Sequence, residues 1–122
     1  MSGRVNLAVP TVTLFRPVGP KELALVSASG FRAFPPRLPE QPFFYPVCNQ
    51  PYAEQIARDW NVPESGAGYV TAFEVRADFL AAYDTHVVGE AVHEEYWIPA
   101  EHLPVFNAAI VGLIRVVASF GA

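Results

Sequence analysis

The chain has 122 residues, of which 52% are hydrophobic and 16% are charged, and its formal net charge is −4 at pH 7. This composition excludes a disordered chain, and the length suits one domain around a single core. The small negative charge excludes a general attraction to nucleic acid or to an anionic membrane, so neither partner is expected.

Cysteine usage and hydropathy indicate the compartment. Cys48 is the single cysteine, so no intramolecular disulfide can form, and a reducing, cytoplasmic compartment is expected. The apolar run at residues 108–118 is broken by Gly112 and Arg115 and is too short to cross a bilayer. Residues 1–10 lack periodicity and show no signal-peptide pattern, so they are predicted to be a flexible tail before a domain at residues 11–122.

Local patterns predict short strands and helices in alternation. β-Branched and aromatic residues predict strands at residues 11–17, 31–34, 43–47, 69–75 and 111–120. Helices are predicted at residues 20–28, 50–60, 78–83 and 99–107, with Asn49 as the N-cap of the second. Trp60 falls on the apolar stripe of that helix and is predicted to anchor the core, as is Trp97.

The remaining segments decide the fold class. Four prolines in residues 35–42 predict a well-defined loop, and residues 61–68 form another. Residues 86–98 are predicted to be extended, with a kink at Gly89. Because the spacing is too irregular for repeated βαβ units, we expect a single compact α+β domain of mainly antiparallel strands and short helices.

The stretch from His93 to Pro99 concentrates titratable and aromatic side chains. In an extended strand, His93, Glu95 and Trp97 share one face, because successive side chains alternate. A half-buried strand rarely carries three titratable residues in succession. The stretch is therefore either a solvated sheet edge or the rim of a site.

Three stretches together resemble the ADP-ribosyltransferase fold. They are Leu14-Phe15-Arg16, Phe43-Phe44-Tyr45 with the helix after it, and the run from His93 to Pro99. Blocks such as Phe15-Arg16-Pro17-Val18-Gly19 and Tyr96-Trp97-Ile98-Pro99-Ala100-Glu101 are also similar to small bacterial proteins labelled "ADP-ribosylation/crystallin J1". The resemblance covers nearly the whole domain.

The resemblance implies an NAD-dependent ADP-ribosyl transfer or NAD cleavage, with a nucleotide as ligand and a protein acceptor of unknown identity. Arg16 would hold the pyrophosphate of NAD through charge-assisted bonds, and Tyr45 and Phe44 would form the aromatic walls of the nicotinamide pocket. Glu95 would be the catalytic carboxylate that stabilises the oxocarbenium-like transition state, and His93 would assist it.

Other interpretations of the same residues stay open. The family's hydroxyl-bearing position on the middle strand has only Tyr45 here, which favours a non-catalytic nucleotide- or protein-binding module on the same fold. Arg16 could instead pair with Glu22 or Glu40, and Glu95 could be a solvated edge carboxylate. His93 could lie on the strand surface, and the aromatic residues could belong to the core.

No metal site is expected, although some ligand types are present. His86, His93, Glu94 and His102 are not spaced as a metal motif. Cys48 precedes a predicted helix, whose N-terminus could lower its pKa and make it a nucleophile. The alternative is that Cys48 is a small buried hydrophobic residue.

Overall fold

A computed structural model describes residues 9–89 and 93–121 of the chain. Most of the predicted N-terminal tail, residues 1–8, lies outside the described residues. Pro10 is tied to the domain, because its carbonyl accepts a hydrogen bond from the Ala77 amide at 2.9 Å. In the described part of the chain, every helix is too short or too polar to cross a membrane.

Strands and helices are interspersed along the chain without regular alternation. The strands are β1 (Thr11–Val18), β2 (Phe43–Phe44), β3 (Ala67–Arg76), β4 (Thr85–Val87), β5 (Glu94–Tyr96), β6 (Ile98–Pro99) and β7 (Ile110–Gly121). The α-helices are α1 (Pro20–Ala28), α2 (Gln50–Ile56), α3 (Val62–Ser65), α4 (Ala77–Leu80) and α5 (Leu103–Ala108). A π-helix, Ala57–Asn61, follows α2, and a 3₁₀ turn, Ala100–His102, precedes α5.

The central sheet has the order β1-β3-β7, and both strand pairs are antiparallel. β3 is the middle strand, and its residues are buried on both faces over most of its length. Two short pairs, β2 with β6 and β4 with β5, are also antiparallel. The predicted α+β class with mainly antiparallel strands is therefore confirmed.

Val47 joins β1 to the β4–β5 pair. It pairs with Phe15 on one side and with Glu95 on the other, both in antiparallel orientation. The Phe15 and Val47 amides each donate to the other residue's carbonyl, at 2.9 and 2.7 Å. Residues directly opposite in such pairs share a face. Phe15, Val47 and Glu95 therefore point to the same side of the sheet.

Two hydrophobic clusters cover the two faces of the sheet. The larger contains Leu14 and Phe73, which are directly opposite each other in the β1–β3 pair. The smaller contains Val47 and Val70, with Phe15 packed against it, under α2 and the π-helix. Even-numbered β1 residues thus face the larger cluster, and Phe15 faces the smaller one.

The predicted strand at residues 31–34 is wrong. Phe31 has φ +59° directly after Gly30, which has φ +77°, so the chain turns there instead of extending. The Phe34 amide donates to Asn107 Oδ1, and Asn107 Nδ2 donates to the Phe34 carbonyl, both at 3.0 Å. A side-chain amide thus satisfies the backbone groups that a neighbouring strand would otherwise pair.

The helix predicted at residues 50–60 changes type at Ala57, and helical structure continues through α3 into the predicted loop at residues 61–68. A π-helix inserts extra residues into each turn, so the apolar stripe of α2 does not continue in register. Trp60 is consequently 72% exposed, and its predicted role as a core anchor is wrong. The predicted strand at residues 43–47 also shortens to Phe43–Phe44.

Candidate functional site

Glu95 is almost completely buried, and both of its carboxylate oxygens accept hydrogen bonds. Its exposed fraction is 9%. The Tyr52 hydroxyl donates to Oε1 at 2.8 Å, and Trp97 Nε1 donates to Oε2 at 2.8 Å. The O–H and N–H donors thus fix the orientation of the carboxylate.

The two donors come from different elements. Tyr52 lies in the first turn of α2, where its amide donates to Asn49 Oδ1 at 2.8 Å, the N-cap predicted from the sequence. Trp97 follows β5 and is two residues from Glu95, hence on the same face. Trp97 is 38% exposed, so it forms the rim of the site and is not the core anchor that was predicted.

A histidine stacks on each donor ring. His93 lies against Tyr52 with centroids 4.5 Å apart, and His86 against Trp97 at 4.1 Å, both with planes 15° apart. His93 Nε2 is also 3.2 Å from Gln55 Oε1. These stacks restrict the rings that donate to Glu95. His93 is therefore placed to position Tyr52.

A cavity of about 270 Å³ opens beside Glu95. Pro17 borders it near the Phe15–Val47 bridge, and proline has no N–H with which β1 could extend that bridge into a longer ladder. The lining residues are Arg16, Pro17, Tyr45, Val47, Ile56, Asn61 and Glu95.

The π-helix supplies one wall of this cavity through Asn61. Asn61 Oδ1 is buried and has no hydrogen-bond partner among the described residues. The π-helix lies very close to β3, because a Cβ added at Gly68 would be 2.5 Å from the Ala57 carbonyl oxygen and 2.9 Å from Asn61 Cβ. Glycine at position 68 therefore allows this approach, and π-helical turns often occur at functional sites.

Arg16 lines the same cavity, but its guanidinium already has a partner. Nε and Nη2 donate to the two carboxylate oxygens of Glu22 in α1, at 2.6 and 3.0 Å. The guanidinium carbon also lies 4.5 Å from the centroid of the Phe44 ring. Because Arg16 alternates with Phe15, its side chain points toward the larger cluster, whereas the Glu95 carboxylate points toward α2.

Three predicted site residues, Arg16, Tyr45 and Glu95, line one cavity, but the Arg16 guanidinium turns away from Glu95 to Glu22. Phe44 is fully buried in the larger cluster, so it supports Arg16 from the core, and the predicted role of a nicotinamide wall does not fit. The reason is strand alternation, which turns Phe44 to the face opposite Tyr45. Sequence reasoning missed the roles of Tyr52, which was predicted only as a helix residue, and of Asn61, which was predicted to begin a loop.

Burial and the local negative charge raise two pKa values beside Glu95. Burial, followed by the hydrogen bond to Glu95, raises the pKa of Tyr52 to about 12. Burial, followed by the charges of Glu94 and Glu95, raises the pKa of Cys48 to about 11. Cys48 is therefore a neutral thiol at pH 7, and the lowered pKa considered for a nucleophile is not found.

Candidate metal ligands stay dispersed. Within residues 9–89 and 93–121, His, Cys, Asp and Glu side chains do not gather in groups of three that could hold a metal ion. His102 Nδ1 is 2.9 Å from the Tyr83 hydroxyl, and His86 is stacked on Trp97. Both histidine rings are thus held by contacts with neighbouring aromatic side chains.

Comparison of the chain with family models, with curated proteins and with solved structures found no match.

Proposed function

We propose that this protein binds NAD with the nicotinamide end in the cavity beside Glu95, as an ADP-ribosyltransferase-like or NAD-cleaving protein. The observation that supports the proposal is that the buried Glu95 carboxylate lies beside the half-buried Tyr45 ring in one cavity, which Arg16 also borders. Its location is inferred to be the cytoplasm, where a single free cysteine such as Cys48 stays reduced.

The chemistry of the cavity suits the nicotinamide end. The oxidised nicotinamide ring is a cation, and the Glu95 carboxylate supplies a buried negative charge next to it. The half-buried Tyr45 ring supplies an aromatic surface. At about 270 Å³ the cavity lies just below the usual range for whole drug-sized ligands, so it suits a ring with its sugar, with the adenosine part outside.

The proposed reaction breaks the glycosidic bond between ribose C1 and the nicotinamide nitrogen. Nicotinamide leaves with the electron pair of that bond, and ribose acquires oxocarbenium character, which the Glu95 carboxylate stabilises. Water or an acceptor nucleophile then bonds to C1 and loses a proton. Tyr52 and Trp97 hold the carboxylate, and His93 positions Tyr52.

A non-catalytic binding module is the second candidate. Both oxygens of Glu95 already accept hydrogen bonds, and Arg16 is already paired with Glu22. A pyrophosphate would have to compete with Glu22 for Arg16. These internal contacts favour binding without bond cleavage.

The first test is NAD binding, measured by ligand-observed NMR. We expect nicotinamide mononucleotide to compete with NAD and adenosine monophosphate to compete poorly, because the cavity takes the nicotinamide end. Glu95→Gln and Tyr45→Ala should each weaken binding by about tenfold or more, the equivalent of about 1.4 kcal/mol. Glu94→Gln is the matched control, since Glu94 bonds Thr85 on the other face of β5.

A second measurement separates the two candidates. Release of free nicotinamide from NAD, followed by chromatography and lost in Glu95→Gln, supports the enzyme. Binding without release supports the module. Glu22→Gln should strengthen NAD binding if Arg16 holds the pyrophosphate. Absence of binding at millimolar NAD, or equal binding by Glu95→Gln, overturns the proposal.

A further inference from the structure

A second cavity is separate from the Glu95 site. Its volume is about 590 Å³, well within the range of small-molecule pockets. It lies between the proline-rich loop at residues 35–42 and the start of α5. Its apolar wall consists mainly of Pro36, Leu38, Pro39, Pro42, Leu103 and Pro104.

This cavity is preformed by local hydrogen bonds. The Leu38 amide donates to Gln41 Oε1, and the Gln41 amide donates to the Leu38 carbonyl, both at 2.9 Å. Arg37 Nε donates to the Phe43 carbonyl at 2.9 Å. Asn107 fixes Phe34 through two bonds of 3.0 Å. Prolines and these bonds restrict the loop, so a ligand would meet a rigid surface at little entropic cost.

The polar groups in the wall are largely committed to those bonds. The side chains of Asn107 and Gln41 make hydrogen bonds to backbone groups of the loop. The Arg37 guanidinium is therefore the main group in the wall whose charge has no close partner in the described part of the chain. Within the described residues, its Nη nitrogens make no hydrogen bond. Glu101 also lines the cavity, but its side chain is exposed to solvent, where its charge is screened.

The surroundings of Arg37 carry an excess of positive charge. Arg37 interacts electrostatically with Arg16 and with Glu22, and the single Glu22 carboxylate is already bound by Arg16 through two hydrogen bonds. Burial, followed by the Arg16 charge, lowers the pKa of Arg37. Arg37 also borders an adjoining cavity of about 190 Å³, which Lys21 lines as well. A half-buried cation with a cationic neighbour is stabilised by an added anion.

We propose that the 590 Å³ cavity binds an apolar carboxylic acid, with the hydrocarbon body against the prolines and leucines and the carboxylate on the Arg37 guanidinium. The apolar wall supplies the binding energy by burial, and Arg37 selects the anionic head group through charge-assisted hydrogen bonds. A cationic or neutral head group gains nothing from Arg37.

The test uses decanoate, below its micelle concentration, with decan-1-ol and decylamine as matched neutral and cationic probes. Binding to the intact chain is measured by calorimetry, and its place by NMR amide shifts. We expect decanoate to bind at least tenfold more tightly than either probe, with shifts at Leu38, Leu103 and Asn107.

Three variants examine the role of charge. Arg37→Gln should weaken decanoate binding about tenfold while leaving the alcohol unchanged, and Arg32→Gln, at an exposed arginine in the same segment, should have no effect. Leu38→Asp, at a side chain 56% exposed, adds a negative charge to the wall and should also weaken binding if Arg37→Gln does not fold. Equal affinity for decylamine, unchanged binding by Arg37→Gln, shifts confined to other surfaces, or no binding at all would each contradict the proposal.

The outcome is independent of NAD binding. Glu95→Gln should bind decanoate like the unmodified chain, because Glu95 lines only the smaller cavity of the two. Failure of decanoate binding therefore leaves the NAD proposal untouched.

Discussion

The hydroxyl of Tyr52 donates a hydrogen bond to Glu95 Oε1 across 2.8 Å, although the two residues are 43 positions apart in the chain. This bond fastens α2 to β5, two elements that flank the smaller cavity. The bond links the position of α2 to the orientation of the Glu95 carboxylate. A substitution at either residue should therefore alter the environment of the other.

Tyr52→Phe removes this bond while keeping the ring stacked on His93. We expect the free energy of unfolding to fall by about 1–2 kcal/mol, since a hydrogen bond to a charged group is lost beside a buried carboxylate. Urea denaturation measures the change. Tyr69→Phe is the control, because no hydrogen bond joins the Tyr69 hydroxyl to another described residue. An equal loss in both variants would contradict the assigned role.

The raised pKa of Tyr52 predicts a pH dependence at high pH. Its pKa is about 12 in the folded chain, against about 10 when unfolded. Folding thus favours the neutral phenol, and this contribution to stability is complete below pH 10 and is lost as pH rises from 10 to 12. Burial also raises the pKa of Tyr83 and Tyr96, so the Tyr52 transition is identified in the phenolate absorbance as the one near pH 12 that moves to lower pH in Glu95→Gln. An unchanged titration in that variant would disprove the coupling.

Cys48 should react slowly with alkylating reagents near neutral pH. Its pKa of about 11 keeps the thiolate scarce, and the thiolate is the reactive form. The rate with iodoacetamide should rise through about pH 11 in the folded chain and through about pH 9 in urea. Glu94→Gln should shift the folded profile to lower pH, because it removes a negative charge. Rapid alkylation of the folded chain at pH 7 would refute this.

Gly68→Ala should destabilise the fold through the π-helix. The added Cβ would be 2.5 Å from the Ala57 carbonyl oxygen, which is backbone and cannot move aside cheaply. We expect a loss of about 1–3 kcal/mol, typical of overpacking, together with altered ligand binding at Asn61. Gly19→Ala is the matched control, since its nearest contact would be 3.5 Å. Thermal unfolding of both variants distinguishes them.

The N-cap of α2 should contribute to both stability and site geometry. Asn49→Ala removes the acceptor for the Tyr52 amide, and we expect a loss of about 1 kcal/mol. Asn49→Asp retains a capping oxygen and should stay close to the unmodified chain. Denaturant midpoints measure both. If Asn49→Asp lowered the free energy of unfolding as much as Asn49→Ala does, the loss of the cap would not explain the destabilisation.

Local patterns determined much of the fold from the sequence alone. The β-branched runs predicted β1, β3 and β7, and Gly30 after Pro20 predicted α1, because these signals depend on near neighbours. Asn49 as an N-cap is equally local. The α+β class follows from the order of these elements.

The errors arose where distant contacts override local preference. Residues 31–34 look like a strand, but Asn107 satisfies Phe34 in place of a strand partner. In a regular α-helix Trp60 would lie on the apolar stripe. The chain instead adopts a π-helix from Ala57, and the Trp60 side chain faces solvent. A periodicity rule assumes one helix type throughout, whereas here the type changes at Ala57, where the backbone lies close to Gly68.

The sequence by itself determined that Arg16, Tyr45 and Glu95 are candidates, because their order and residue types resemble a known pattern. Only the tertiary structure decided their environments. Strand alternation directs the Arg16 guanidinium to Glu22 and the Glu95 carboxylate to Tyr52, on opposite faces of the sheet. The pairing of Phe15, Val47 and Glu95 across three segments fixes those faces, and pairing between distant segments depends on the fold as a whole.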